Sequence, residues 1–294
     1  MGAWNNWIGR TVTQHDRLTP ALLQRFRATI DSAETGVIAP QAIHWVLCTP
    51  EAATAQLGID GHPRRSDSAD SFFPPVPHPR RMWASSTVEF VAPIEVDAGI
   101  ERVSSIAAIT EKTGSTGSLV FVDVDHQTRA NGVLAVRETQ TLVYREAATI
   151  DRSSRAKSRD ATPKNDSSTA LDANGPNLAD WHFHRTVTPN EALLFRFSAI
   201  TFNTHRIHYD APYAIHEEGY RGLVVHGPLM SSLLIDLAAR QFGANALRTY
   251  AFRAQSPAFV NEPLHLAGRR EGGTLTLAAL GSDGRTCVAA EAQL

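Results

Sequence analysis

Four of the chain's twelve histidines fall within residues 201–227, TFNTHRIHYDAPYAIHEEGYRGLVVHG: His205, His208, His216 and His226. Histidine alone titrates unperturbed near neutral pH, so such a cluster suits general acid/base catalysis. Two other readings compete with that one. A loop carrying surface or hydrogen-bonded histidines has the same composition. His205 and His208, at i and i+3, could also begin a metal site, although neither HExxH nor a Cys/His framework accompanies them.

The residues that follow favour acid/base work. Val225-His226-Gly227-Pro228 runs straight into an apolar stretch with helical spacing. The N–H of Gly227 would point out of a helix N-terminus, where the helix dipole assists in holding a carbonyl oxygen that gains negative charge. Without a β-carbon, Gly227 also lets a ligand approach the backbone. A tight helix entry with no ligand would read the same way. The histidine about twenty residues upstream is what makes the combination specific.

The elements that must position these groups follow from periodicity. Residues 227–243, GPLMSSLLIDLAARQFG, predict the best helix in the chain, with Pro228 at its first position and Gly243 as its C-terminal cap. It is apolar around most of its circumference and must be enclosed. Residues 20–34 and 41–48 are weaker helical candidates in the first half. Residues 118–145 and 274–294 each read as two alternating apolar runs, joined around Asn131-Gly132 and Asp283-Gly284. Both dipeptides predict type I′ hairpin turns. Gly-bearing turns at 111–118 and 269–274 precede them, and extended segments at 89–97 and 255–261 lie further upstream. Each half therefore predicts three or four antiparallel strands around a helix. That is the hotdog arrangement, present twice in one α+β chain as a double hotdog.

Between the halves, residues 151–177 are rich in Ser, Asp, Asn and Lys, with almost nothing to bury. They predict an exposed linker between an N-terminal unit, 1–150, and a C-terminal unit, 178–294. The length of 294 residues suits two such units. With 28 Lys+Arg against 30 Asp+Glu, the net charge of −2 lacks the basic excess that nucleic acid as main partner requires. Cys48 and Cys287 form no scaffold or CxxC pattern and read as reduced, packed thiols. No apolar stretch approaches the length of a membrane span, and MGAWNNWIGR contains neither signal-peptide nor myristoylation features. The expected location is cytoplasmic.

The segment 194–235 resembles the MaoC-like (R)-specific enoyl-thioester hydratases. It is most similar to the double-hotdog branch that holds hydroxyacyl-thioester dehydratase type 2 and the mesaconyl-C4-CoA, 3-methylfumaryl-CoA and itaconyl-CoA hydratases. Residues 57–64 (LGIDGHPR), 73–85 (FPPVPHPRRMWAS) and 112–123 (KTGSTGSLVFVD) extend the likeness through the first half. The family motif is a carboxylate followed, after four residues, by a histidine. The histidine falls on His208, but Asn203 stands at the carboxylate position and His205-Arg206 replaces the motif's Asn-Pro. The oxyanion glycine falls on Gly227.

The resemblance implies reversible addition of water to the α,β double bond of an acyl-CoA or acyl-carrier-protein thioester, with no redox or metal cofactor. His208 would act as the base, Asn203 would orient water through its amide, and Gly227 would polarise the thioester carbonyl. The first half, without an acid/base motif of its own, would cover the acyl tunnel. A dicarboxylic acyl group of mesaconyl or itaconyl type needs a cationic partner, for which Arg206, Arg80 and Arg81 are candidates. Arg80-Arg81 beside Trp83 could equally be an exposed basic pair on an aromatic ring. The Pro-rich residues 74–79 place that segment as a lid rather than core. Lys112 between glycines is a further phosphate candidate. A 3-hydroxyacyl-thioester dehydratase of fatty acid synthesis shares these motifs, and Asn203 also fits a non-catalytic thioester-binding subunit. A homo-oligomer is compatible with either.

Overall fold

The computed structural model describes residues 4–66, 68–114, 117–146 and 176–294. The expected linker, 151–177, lies outside them except for its last two residues. Ten antiparallel strands form one sheet: β1 (Thr11–Arg17), β2 (Arg80–Phe90), β3 (Gly99–Gly114), β4 (Gly117–Ala130), β5 (Val133–Arg145), β6 (Phe183–Val187), β7 (Thr249–Ala254), β8 (Leu264–Glu271), β9 (Thr274–Leu280) and β10 (Thr286–Gln293). Their spatial order is β1-β3-β4-β5-β2-β7-β10-β9-β8-β6. Read from either edge, the order within five strands is the same: first, third, fourth, fifth, second. The two second strands, β2 and β7, pair at the centre with Thr87 opposite Ala251, making one continuous sheet of two repeats.

The repeat extends to single residues. The segments after β2 and β7 each make one isolated bridge, Ile38 to Glu95 and Val224 to Phe259. Both then turn through a residue of positive φ, Asp97 at 66° and Asn261 at 63°. These are links rather than the strands expected at 89–97 and 255–261. The hairpin at Asn131-Gly132 has positive φ at both residues, 49° and 81°, as a type I′ turn requires. At Asp283-Gly284 only Gly284 has positive φ, and five residues separate β9 from β10. There the turn closes through Gly284 N–H donating to the Gly281 carbonyl, a longer loop than the dipeptide predicts.

Helix α4 (Gly227–Phe242) starts and ends where expected, with Gly243 at its C-cap. Every residue from Leu229 to Ala238 is buried. Its apolar faces pack on β6, β8, β9 and β10 and on α1. Each fully buried large aliphatic side chain of α4 contributes about 1.5–3 kcal/mol, matched by the buried leucines of β8 and β9 that face the core. Helix α1 (Pro20–Ile30) is capped by the Thr19 side chain and stops at Asp31 in the left-handed region, short of the expected residue 34. Helices α2 (Glu191–Ile200) and α3 (Ala211–His216) complete the set.

Among the described residues the first half has no counterpart of α4. Where a second helix was expected at 41–48, a single 3-10 turn, Ile43–Val46, lies within a fully buried irregular stretch. Left-handed residues Ala42 and Cys48 bound it and prevent helical propagation. Buried irregular backbone must find polar partners. Cys48 N–H donates to Asp16 Oδ2, the Cys48 carbonyl accepts from Gln14 Nε2 and the His44 carbonyl from Arg102, while the Gln41 side chain exchanges two hydrogen bonds with the backbone of Leu247. Glu138 accepts from Trp45 Nε1 and Ser86 Oγ and lies 3.5 Å from His44 Nε2. The resemblance's two hotdogs are therefore present, but among the described residues only one encloses a long helix. No helix among the described residues is long and apolar enough to cross a membrane.

Candidate active site

Asn190 caps the start of α2 by accepting from Leu193 N–H, and Thr201 closes its end with its N–H on the Phe197 carbonyl, where the segment 201–208 begins. Phe202 turns the chain through a positive φ of 49°. Asn203 then accepts the His205 N–H on its side-chain oxygen, 3.0 Å. A one-turn 3-10 helix, Arg206–His208, follows. It delivers His208 to the interior, 7% exposed. There His208 Nδ1 donates to the Val224 carbonyl at 2.7 Å. That bond fixes the tautomer and leaves the lone pair on Nε2, as a base requires.

The same carbonyl belongs to the strand-like approach to α4, so one hydrogen bond ties His208 to the Gly227 turn. His226 lies flat on His208, ring centroids 3.6 Å apart and planes 18° from parallel. Its Nε2 shares a 2.8 Å hydrogen bond with Ser198 Oγ. Burial, partly offset by the bond to Val224, brings His208 down to about 4. Burial and the adjacent imidazoles hold His226 well below its ordinary range. Both rings are neutral at physiological pH. No side chain caps α4 at its N-terminus, and the direction of a β-carbon on Gly227 points into open space. An uncapped helix start, an open face and a buried neutral imidazole bound to the Val224 carbonyl just before that start can together hold a carbonyl oxygen and remove a proton from water.

A second group comes from the first half of the chain. Residues 57–64 fold against 204–206: Arg206 N–H donates to the Asp60 carbonyl, Arg206 Nη1 to Ile59 and Thr204 Oγ1 to Gly61. Asp60 accepts the His62 N–H on Oδ1 and faces His62 Nδ1 with Oδ2 at 3.1 Å. The His62 ring lies on His205 at 4.2 Å, and His205 meets His208 edge-on at 5.6 Å. Burial and two neighbouring imidazoles push His205 down to about 2. Donor atoms of Asp60, His62 and His205 all lie within 4.8 Å of one another, close enough to share a cation. Both Asp60 oxygens are already turned to His62, however.

The family model for hydroxyacyl-thioester dehydratase type 2 matches residues 42–260, which span both the docked loop and the His208–Gly227 site. The chain belongs to that family. It is 39% identical to a mesaconyl-C(4)-CoA hydratase of Chloroflexus aurantiacus, across 99% of this chain and 98% of the relative. Among solved structures, a MaoC-like dehydratase superimposes with a TM-score of 0.73 at 14% identity, covering 99% of each chain. A Mycobacterium tuberculosis protein described as a double hotdog fold matches at 0.55 and 10% identity, over 97% of this chain and 96% of that one. The fold is a double hotdog.

Within this dehydratase-family scaffold the expected site residues separate into three groups. His208 is tied to the approach to Gly227 through the Val224 carbonyl, while the Asn203 oxygen accepts the His205 N–H and its amide nitrogen makes no hydrogen bond among the described residues. Arg206 and Arg80 are spent within the chain. Arg206 clamps Asp210 through Nε and Nη2, at 3.0 and 2.7 Å, and stacks over Tyr213 at 4.1 Å. Arg80 pairs with Glu218 at 2.8 Å. Arg81 makes no ion pair among the described residues; it lies 5.9 Å from the Phe73 ring and adds its positive charge to the field at His205.

Trp83 and Lys112 stand apart from this group. Trp83 donates to Ser86 Oγ, meets Trp45 edge-on and packs at a tilt against Phe252. Lys112 is exposed near the β3–β4 hairpin end, over Phe121. The segment expected as a lid instead leads into the central strand β2, with Val76 buried in the core. Asp60 and His62 were missed as site residues, because the first half was read as lacking any acid/base pair. The only local signal is Asp-Gly-His, in which a glycine lets carboxylate and imidazole fold onto each other.

Gly61 makes the docking of this loop testable. Its φ is +87°, and a β-carbon there would sit 1.9 Å from the Thr204 carbonyl oxygen, a backbone atom that cannot step aside. Gly36 has the same φ of +87° with nothing within 4 Å. Gly36→Ala should cost only the left-handed penalty of about 1–2 kcal/mol. Gly61→Ala should exceed it by about 1–3 kcal/mol of overpacking in urea denaturation. Equal midpoints for the two variants would show that the loop is not held against Thr204.

Proposed function

We propose that this chain is a hydro-lyase acting on a short, branched, dicarboxylic acyl-CoA, interconverting a mesaconyl-C4- or itaconyl-type thioester with a citramalyl-CoA-type product. The observation that carries this reading is the 39% identity to a mesaconyl-C(4)-CoA hydratase over 99% of the chain. It is supported by the fixed tautomer of His208 beside the uncapped start of α4.

In this mechanism the thioester oxygen accepts from Gly227 N–H at the positive end of α4. His208 Nε2 takes a proton from water as the oxygen bonds to the β-carbon. The π electrons move through the α-carbon to the thioester oxygen, and protonation at the α-carbon completes hydration. Dehydration retraces these steps. The amide nitrogen of Asn203 steadies the water. Residues 178–294 carry this chemistry, 1–150 enclose the acyl group, and 151–177 connect them.

Arg81 is the cation we assign to the substrate's free carboxylate, since Arg80 and Arg206 already hold carboxylates of the chain. A charge-assisted hydrogen bond contributes about 1.5–3 kcal/mol, or about 10–150-fold in affinity. Arg81→Ala should therefore raise KM for mesaconyl-C4-CoA by about that factor and leave crotonyl-CoA within threefold. Equal effects on both substrates would remove the assignment of Arg81. Wild-type preference for crotonyl-CoA or 3-hydroxyacyl thioesters lacking a second carboxylate would return the chain to the general dehydratases.

A further inference from the structure

Hydration needs two proton transfers, one away from water and one to the α-carbon, and this chain lacks a carboxylate at the position where its sequence places Asn203. The Asn203 oxygen is in any case taken by the His205 N–H. Of the two imidazoles beside the Gly227 turn, His208 is the one whose tautomer a backbone carbonyl fixes, leaving a lone pair on Nε2. The other arrangement of carboxylate and imidazole at this site is Asp60 with His62, brought from 140 residues away by a loop whose fit depends on Gly61. The two side chains are 29% and 22% exposed, whereas His208 is buried. The pair is therefore at the accessible end of the row His62, His205, His208, His226.

We infer that Asp60 and His62 are the second acid/base unit of this site, with His62 exchanging a proton with the substrate's α-carbon and Asp60 orienting its ring. The inference rests on the hydro-lyase reading above. In the hydration direction His208 Nε2 receives the water proton while the C–O bond forms and the double-bond pair moves to the thioester enolate. The enolate then takes a proton from His62 Nε2, forming the α C–H bond. His62 ends neutral and His208 ends protonated; transfer of that proton to His62, through solvent or past His205, resets both. One water is consumed and no other reactant is needed. Asp60 Oδ2 on Nδ1 leaves Nε2 as the exchanging atom. Burial pushes the Asp60 carboxyl up, but its hydrogen bonds to His62 and the nearby imidazoles outweigh this and hold it at about 2, so it stays ionised beside the ring it orients. The charged or titratable groups around the pair are His205, His208, Arg81, Arg206 and Tyr213.

The test compares wild type, His62→Ala, His62→Gln, Asp60→Asn and Asp60→Glu on mesaconyl-C4-CoA, with circular dichroism and thermal midpoints for each. The expected result for both His62 variants is a kcat lower by about 10²–10⁴-fold, the usual range for a positioned acid/base, with KM within threefold. Added imidazole should restore part of the rate to His62→Ala and none to Asp60→Asn, and Asp60→Glu should be faster than Asp60→Asn. If His62→Ala does not fold, His62→Gln and the Asp60 variants decide. An active wild type with His62 variants inside threefold of its kcat overturns the inference and leaves the hydro-lyase reading standing. A folded His62→Ala whose lost rate imidazole does not restore also overturns it. So does loss of wild-type activity on chelation with recovery on adding Zn²⁺, which would make Asp60, His62 and His205 a metal site. A wild type inactive on every enoyl-CoA overturns both readings together.

Discussion

His208→Ala lowers kcat by about 10²–10⁴-fold while KM changes little. The expectation rests on geometry: Nδ1 is bound to the Val224 carbonyl, so Nε2 is the free nitrogen, and stacking on His226 fixes its direction. It also rests on charge. With its proton lost above about pH 4, His208 is a free base throughout the neutral range. The wild-type rate should accordingly show no acid limb from His208 between pH 7.5 and about 5. Truncation to alanine also strands the Val224 carbonyl, at a cost of about 1–3 kcal/mol, so lost activity could be confused with lost fold. His208→Asn separates the two effects. Its amide nitrogen can reach the same carbonyl, but it has no basic lone pair, so it should be as slow as alanine with a thermal midpoint nearer wild type. A kcat within tenfold of wild type in that variant would show that His208 is not the base.

How much of this was legible in the sequence depended on whether the signal was local. Helix α4 could be bounded at both ends because Pro228 and Gly243 act on their own turns and its apolar faces follow a single period. The Asn131-Gly132 hairpin was legible for the same reason. The stretch 41–48 was not, since its apolar residues suit a helix equally well and the deciding facts are contacts from Leu247 and Glu138, on strands or loops far along the chain. Arg206 misled in a similar way. Its charge suggested a substrate carboxylate, and only the folded chain shows Asp210 and the Ile59 carbonyl already occupying its donors. The Asp60–His62 pair was hidden by distance, because nothing near residue 60 indicates that it will lie on His205. The family pattern at 203–208 located the site but drew attention to one half of it.

Stability should collapse as pH falls from about 6.5 towards 4, a window set by the histidines rather than by the carboxylates. In the unfolded chain each histidine gains a proton near pH 6.5. In the folded chain His208 does so only near 4 and His205 near 2, and His226 lies well below its ordinary range. Below 6.5 the unfolded state therefore binds more protons, and stability falls with falling pH by about 1.4 kcal/mol per pH unit for each such group. Three groups acting together give about 4 kcal/mol per unit, against a total stability of about 5–15 kcal/mol for a typical domain. Two pH units therefore remove about 8 kcal/mol, a large share of that total. Asp60 and Glu138, both held at about 2, act in the same direction but later, because what they contribute is present above the ordinary carboxyl range and is lost only as pH falls towards 2. Urea midpoints at pH 7.5, 6.5, 5.5 and 4.5 separate the two windows. The curve should be nearly level above 6.5 and steep below it, and His205→Asn should reduce the slope by about one proton. A level curve down to pH 5 would mean that the buried imidazoles take up protons without disturbing the fold, and the row from His62 to His226 would then be far more open to water than its packing indicates.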